Sequence, residues 1–182
     1  MQFISLSIPE VILIKSIAIE DHRGTFCETY RHNEFAHNGI SQVFVQENSS
    51  ESKRGVLRGL HYQVNTPQGK LINVVRGKIF DVAVDLRKRS PTFGKWVGVV
   101  LQESEHQQLW IPPQFAHGFY TLSEKATIQY KCTDYYQPQN ERTILWNDSD
   151  LCIDWPLSKN APPLLSEKDK RGSLLKEADL FL

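Results

Sequence analysis

The sequence predicts an all-β protein, with a jelly-roll β-sandwich or barrel as the leading architecture. Apolar and polar residues alternate with a period of two in several short segments, which is typical of strands that bury one face. Many short strands at close spacing with little helix indicate two packed sheets or a closed barrel. No internal repeat or Gly/Ser linker divides the 182 residues. We therefore expect one domain over residues 1–182, with a core at about 8–170 and a short helical tail.

The clearest strand is predicted at residues 80–87. Four apolar residues from Phe80 to Leu86 alternate there with Asp81, Asp85 and Arg87, so a half-buried strand is expected. A strand at 108–111 should end at Pro112, since proline cannot donate to a sheet ladder. Further strands are predicted at residues 71–75, 95–101 and 127–133.

Two short helices are predicted. Residues 33–37 can form a single turn. The run from Ser166 to Asp169 resembles the start of a capping box, with Ser166 as the N-cap of a short C-terminal helix.

The composition indicates a globular protein and excludes a global basic field. Twenty-one Lys and Arg balance twenty-one Asp and Glu, while 10% of the residues are aromatic. This balance argues against sequence-independent binding of nucleic acid, although a local basic cluster could still bind a phosphorylated small molecule.

The cysteines and the N-terminal segment favour a cytoplasmic protein. Three widely spaced cysteines without a CxxC pair are expected to be reduced thiols. Pro9, Glu10 and Lys15 interrupt the first apolar stretch, so we expect no signal peptide. No run approaches the ~20 apolar residues that span a bilayer, so no membrane contact is expected.

Residues 55–63 contain the densest set of chemically useful side chains. A histidine within an apolar strand is either a hydrogen-bonded structural residue or, because its ordinary pKa is about 6.5, a base near neutral pH. Arg58 suits an anion, since its guanidinium binds phosphate or carboxylate through two parallel hydrogen bonds. Strict alternation would place Arg58 and His61 on opposite faces. If both serve one pocket, Gly59 marks a bulge that resets the register.

Residues 111–119 carry Pro, His and Gly in an order that resembles the second motif of the cupin fold. A metal-binding cupin also needs a His-x-His pair with a Glu in its first motif, but that segment offers only His61. The six histidines contain no i, i+2 or i, i+4 pair, so no metal and no other cofactor are expected.

An ordered series of segments resembles the dTDP-4-dehydrorhamnose 3,5-epimerases, cupin-type enzymes of nucleotide-sugar metabolism that need no metal. The resemblance runs from about residue 8 to about 170, and it is specific as a set although each segment alone is weak. The segments are residues 21–28, 44–50, 58–63, 67–70, 81–87, 90–94, 115–119, 130–133, 135–136, 146–148 and 166–169.

The resemblance implies an isomerase that epimerises C3 and C5 of dTDP-4-dehydro-6-deoxy-D-glucose, for dTDP-L-rhamnose biosynthesis. Both carbons are α to the C4 ketone, so inversion needs a base, an acid and a stabilised enolate. By resemblance His61 is the base, Tyr130 the acid and Asp169 the carboxylate that pairs with the histidine. Lys70 would sit by the C4 oxygen. Taken singly, a core tyrosine, a surface lysine and a capping aspartate are the simpler interpretations.

The same resemblance implies a substrate-binding set and a homodimer in which an N-terminal strand joins the partner's sheet. Tyr136 matches a residue that stacks on thymine, while Arg23 and Arg58 are expected near the diphosphate. The implied substrate-binding residues are Arg23, Phe26, Glu28, Gln46, Asn48, Arg58, His117, Tyr136, Glu141 and Lys168.

The sequence departs from the family pattern at three positions, and three alternative functions remain open. Gln114 replaces the glycine usual before Phe-Ala-His, and Thr143 and Ser149 stand where glycine and proline are common.

An epimerase that inverts only C3 would share the same His and Tyr. A non-catalytic sugar-nucleotide-binding cupin would lack one of His61, Tyr130 and Asp169, and a metal-dependent cupin oxygenase would need the missing His-x-His.

Overall fold

The computed structural model describes residues 1–158 and 161–182 and consists mainly of antiparallel strands. Two sheets and a separate hairpin account for the named strands, which are paired antiparallel throughout. The strands are β1 Gln2–Ser5, β2 Ile12–Lys15, β3 Ala18–Asp21, β4 Gly24–Cys27, β5 Gln46–Lys53, β6 Leu57–Gln63, β7 Lys70–Arg76, β8 Lys78–Asp85, β9 Trp96–Gln102, β10 Gln107–Ile111, β11 Phe115–Thr121, β12 Lys125–Cys132 and β13 Glu141–Thr143.

The sheets have the crossed strand orders of a jelly roll. One has six strands in the order β1-β2-β10-β7-β12-β5, and the other has five in the order β13-β6-β11-β8-β9. Strands β3 and β4 pair with each other as a two-stranded hairpin. The five strands predicted from alternation are all confirmed, as β7 to β10 and β12.

Both predicted helices are confirmed. Helix α1 spans His32–His37 and buries Phe35 against the outer face of the six-stranded sheet. Helix α2 spans Glu167–Lys170, and the side chain of Ser166 accepts a hydrogen bond from the backbone N–H of Asp169 as its N-cap. No helix in the described part of the chain is long and apolar enough to cross a membrane.

Besides the region around Phe35, apolar side chains fill two further regions of the fold. Residues such as Ile72, Ile79 and Phe119 pack between the two sheets. The C-terminal segment covers the outer face of the five-stranded sheet, where Trp155 and Leu175 pack against strand residues. Because one sheet is covered on both faces, its strands are more deeply buried than alternation alone predicts.

Strand β8 shows this difference directly. The prediction that it is half-buried is wrong, because Asp81 and Asp85 are both 0% exposed. Asp81 shares the inner face with Ile79 and Ala83. The Asp85 carboxylate accepts hydrogen bonds from Arg87, Ser90 and Thr92, which hold its pKa at about 2 against the effect of burial.

Candidate active site

A cavity of about 420 Å³ opens between the two sheets. This volume lies within the range of small-molecule sites in proteins. The structure brings most of the predicted site residues to its wall. They are Gln46, Asn48, Arg58, His61, Lys70, His117, Tyr130, Tyr136, Glu141 and Lys168.

A bulge in β6 places Arg58 and His61 in the same cavity. His61 pairs with His117 and Arg58 with Phe119, so Gly59 and Leu60 together oppose a single residue of β11. Leu60 consequently packs on the outer face of the sheet, and His61 turns inward. The predicted bulge at Gly59 is therefore confirmed.

His61 and Asp169 form a short hydrogen-bonded pair. The His61 Nε2 lies 2.5 Å from Asp169 Oδ1, and the Asp169 carboxylate is almost fully buried. The Ser166 hydroxyl donates to Asp169 Oδ2 at 2.7 Å, and the backbone N–H of Gly59 also bonds to this carboxylate. With Nε2 donating to Asp169, the lone pair of the neutral imidazole resides on Nδ1.

Burial and hydrogen bonding set the charges of this pair. Burial lowers the pKa of His61 and outweighs the opposite effect of Asp169, so the imidazole is neutral at neutral pH. Burial would raise the pKa of Asp169, but hydrogen bonds from His61, Ser166 and Gly59 outweigh it and hold the pKa below its ordinary value. The pair therefore consists of a neutral base and an ionised carboxylate.

The six-stranded sheet supplies an acid and a cation to the same cavity. Burial raises the pKa of Tyr130, which keeps its phenol protonated at neutral pH. Burial lowers the pKa of Lys70, whose Nζ donates to the main-chain oxygen of His61 at 3.4 Å. A proton donor and a base thus stand on opposite walls, with the Lys70 amine close to the base.

Polar side chains fix the mouth of the cavity. Arg58 Nε donates to Ser52 Oγ at 3.0 Å, and its Nη2 donates to the Glu51 main-chain oxygen at 3.2 Å. Lys168 Nζ donates to Glu141 Oε1 at 2.8 Å. Although burial opposes it, this ammonium holds the pKa of Glu141 below its ordinary value.

His117 is held from behind by a buried carboxylate. Its Nε2 lies 2.9 Å from Asp81 Oδ2 and 3.0 Å from Asp81 Oδ1. The turn before it contains Gln114 at φ 71°, a left-handed conformation that favours glycine. The substitution of glycine by Gln114 is accommodated in this chain without removing His117 from the cavity wall.

Three predicted binding residues lie outside the cavity of their own chain. Arg23 and Phe26 belong to the β3–β4 hairpin, where the Arg23 guanidinium binds Asp21. Glu28 follows the hairpin and binds Arg31. A single chain therefore does not assemble the complete set that the resemblance implied.

Sequence reasoning missed Asp81 and gave Ser166 only a capping role. Asp81 could have been found, because it shares one face of its strand with Ile79 and Ala83, a pattern that places a carboxylate in the interior. The bond from Ser166 to the carboxylate of Asp169 depends on side-chain geometry that no spacing reveals.

Cys27, Cys132 and Cys152 are free thiols, as predicted. Among residues 1–158 and 161–182, no group of three or more His, Cys, Asp or Glu side chains is arranged to hold a metal ion.

Fold and site together define a cupin-type enzyme built for acid–base chemistry at a small, buried centre. A sequence profile of the dTDP-4-dehydrorhamnose 3,5-epimerases matches residues 5–177. The chain belongs to this family of isomerases, which confirms the resemblance on which the sequence interpretation depended.

Individual relatives agree with the family match. An epimerase of this name from Pseudomonas aeruginosa is 52% identical over 182 residues, covering 100% of this chain and 99% of its own length. One from Neisseria gonorrhoeae is 50% identical over 98% of this chain, which spans only 54% of that longer relative.

Solved structures show the same fold. The epimerase from Legionella pneumophila in complex with dTDP-4-keto-L-rhamnose has a TM-score of 0.94 and 48% identity, covering 98% of this chain and 94% of its own. A 3'-monoepimerase from Streptomyces bikiniensis in complex with dTDP-quinovose has a TM-score of 0.86 and 33% identity, covering 94% and 86%.

Proposed function

We propose that this chain epimerises C3 and C5 of dTDP-4-dehydro-6-deoxy-D-glucose and yields dTDP-4-dehydro-L-rhamnose, as a cytoplasmic step of dTDP-L-rhamnose biosynthesis. The observation that carries the proposal is the cavity in which the His61–Asp169 pair and Tyr130 stand on opposite walls. Family membership supplies the substrate class.

The chemistry consists of two rounds of proton transfer. His61 Nδ1 takes the proton α to the C4 ketone, and the electron pair of the broken C–H bond moves onto the C4 oxygen as an enolate. Asp169 stabilises the imidazolium that forms. Lys70 stabilises the enolate oxygen, because an ammonium group in a water-poor site interacts strongly with developing negative charge. Tyr130 then donates its phenol proton to the opposite face of the carbon, which inverts the centre. Before the second round His61 releases its proton to solvent and Tyr130 regains one from solvent.

The remaining cavity residues are assigned to binding. Arg58 and Lys168 provide positive charge for the diphosphate. Gln46, Asn48, His117 and Glu141 are assigned to polar contacts with the substrate, and Tyr136 offers an aromatic face to the thymine. All seven of these side chains line the cavity.

We further propose that two copies of the chain form a homodimer in which the β3–β4 hairpin serves the partner's cavity. Strand β1 joins its own chain's sheet, whereas the hairpin pairs with neither sheet. Its flank carries apolar side chains that a second copy would cover: Ile17 is 71%, Ile19 63% and Phe26 69% exposed. This arrangement would deliver Arg23, Phe26 and Glu28 across the interface.

Complementation between subunits tests the dimer. His61→Ala protomers are expected to be inactive and Arg23→Ala protomers weakly active, and a mixed dimer regains one site with an intact cavity and an intact hairpin. Restored activity after mixing, with a dimer mass by light scattering, is the expected result. If Arg23 served its own cavity, mixing would restore nothing.

Deuterium incorporation tests the reaction itself. The protein is incubated with dTDP-4-dehydro-6-deoxyglucose in heavy water, and the label is located by NMR. Label at both C3 and C5 is expected, with a product that a dTDP-4-dehydrorhamnose reductase accepts. Label at C3 alone would support the second candidate, a C3-only epimerase, which the structural likeness to the 3'-monoepimerase favours. No label at either carbon would overturn both.

A further inference from the structure

A buried glutamine with no part in the proposed chemistry lies next to the loop that carries Tyr136. Gln63 is the last residue of β6 and is only 3% exposed. Its Oε1 accepts a hydrogen bond of 2.7 Å from the backbone N–H of Gln137, and its Nε2 donates to the main-chain oxygen of Tyr135 at 3.2 Å. One side chain therefore bonds to the residues on both sides of Tyr136.

The side-chain amide of Gln63 makes a further hydrogen bond. Gln63 Nε2 donates to the main-chain oxygen of Thr66 at 2.9 Å, which ties the loop after β6 to the same group. The side chain of Asn140 joins these two loops, donating to Thr66 Oγ1 at 3.0 Å and to Gln137 Oε1 at 2.9 Å. Buried amides with complete partners of this kind fix backbone geometry.

Tyr136 itself is held at two further points. Its backbone N–H donates to Gln46 Oε1 at 2.8 Å, and its hydroxyl donates to Glu141 Oε2 at 3.0 Å. The residue is nevertheless 48% exposed and lines the cavity. An exposed aromatic ring that is anchored at its backbone and at its hydroxyl is already ordered before a ligand arrives.

We propose that Gln63 is a positioning residue for nucleobase recognition, which holds the loop at residues 135–137 so that Tyr136 presents a fixed ring face to the thymine. The inference rests on the proposed function, because it takes the base to stack on Tyr136. Preorganising a contact residue removes the cost of ordering it on binding. Gln63 therefore contributes to nucleotide affinity without touching the substrate or the reacting carbons.

The test measures binding of dTDP and of inorganic pyrophosphate by calorimetry, together with kcat and KM. Tyr136→Ala is expected to weaken dTDP binding about 10- to 100-fold, the range for loss of one stacked base. Gln63→Met is expected to weaken it about 3- to 10-fold, the range for a contact residue that must be ordered on binding. In Gln63→Met KM rises, while kcat and pyrophosphate binding stay at the wild-type values. In Tyr136→Ala KM rises as well.

A double mutant separates positioning from a general structural effect. If Gln63 acts through Tyr136, adding Gln63→Met to Tyr136→Ala causes no further loss of dTDP affinity. Additive losses, an equal loss of pyrophosphate binding, or an unchanged dTDP affinity in Gln63→Met would each overturn the inference. Wild-type dTDP affinity in Tyr136→Ala would instead overturn the stacking role assigned under the proposed function.

Two further variants control for folding. Gln107 is a buried glutamine in β10 whose side chain bonds to Glu105, and Gln107→Met is expected to keep wild-type dTDP affinity. Should Gln63→Met fail to fold, Gln63→Asn retains the amide but withdraws it by one methylene. It is expected to show the same selective loss of dTDP binding, and wild-type affinity in a folded Gln63→Asn would count against the inference.

Discussion

Arg58 and His61 line the same cavity although they are three positions apart in one strand. In a regular strand this spacing directs side chains to opposite faces. Here Gly59 and Leu60 share a single opposing position on β11, so the strand gains one residue between Arg58 and His61. The bulge therefore brings the residue proposed to bind the diphosphate and the residue proposed as the base into one cavity.

Gly59→Ala tests whether this bulge needs glycine. Gly59 has φ 126°, and an added Cβ would lie 2.5 Å from Gly118 Cα and 2.8 Å from the His117 main-chain oxygen. Because backbone atoms must move, we expect the free energy of unfolding to fall by about 2–4 kcal/mol. Gly39→Ala is the matched control, since Gly39 has φ 87° with nothing within 4 Å, and it should cost only about 1–2 kcal/mol. Equal losses in urea unfolding would contradict the steric argument.

Ser166 combines two roles that substitutions can separate. Its oxygen caps α2, and its hydroxyl donates to the carboxylate that holds His61. Glycine is nearly as good an N-cap as serine, with a loss of only a few tenths of a kcal/mol, but it cannot donate to Asp169. We expect Ser166→Gly to lower the melting temperature by only about a few degrees while kcat falls about 10-fold, the worth of one hydrogen bond to a charged group. Ser166→Thr keeps the hydroxyl and should restore kcat, and wild-type kcat in Ser166→Gly would show that Asp169 needs no such support.

The pH dependence of kcat/KM follows from the titration of His61 and Lys70. Burial lowers the pKa of His61 from 6.5, so the neutral, active imidazole persists below that pH and the acidic limb has its midpoint under 6.5. Burial lowers the pKa of Lys70 from 10.5, so the ammonium is lost as pH rises and the basic limb has its midpoint under 10.5. Lys70→Arg should remove the basic limb even where it slows the reaction, because guanidinium stays charged. A basic limb that moves instead in Tyr130→Phe would assign it to the tyrosine.

Sequence patterns over a few neighbouring residues predicted the strands and helices of this protein. The period of two located strands such as β12, and a capping signature located α2, because each depends on residues a few positions apart. The pairing of His61 with Asp169 spans 108 positions and came only from the family resemblance. Alternation placed Asp81 on an exposed face because it does not show that both faces of this sheet are covered. Asp81 lies on the inner face between the sheets, and the C-terminal segment covers the outer face.

The proposed roles of His61 as base and Tyr130 as acid predict different isotope patterns in two variants. Removing the base in His61→Ala should abolish exchange of deuterium at both C3 and C5, since both proton abstractions are assigned to its imidazole. Removing the phenol proton in Tyr130→Phe leaves the His61–Asp169 pair intact, so enolate formation continues and the proton returns from the same face. We therefore expect Tyr130→Phe to retain measurable exchange of label without inversion, at an epimerisation rate reduced by roughly 10²-fold or more, the usual contribution of a positioned acid. Full epimerase activity in His61→Ala, or inversion at the wild-type rate in Tyr130→Phe, would show that the acid and the base stand elsewhere in the cavity.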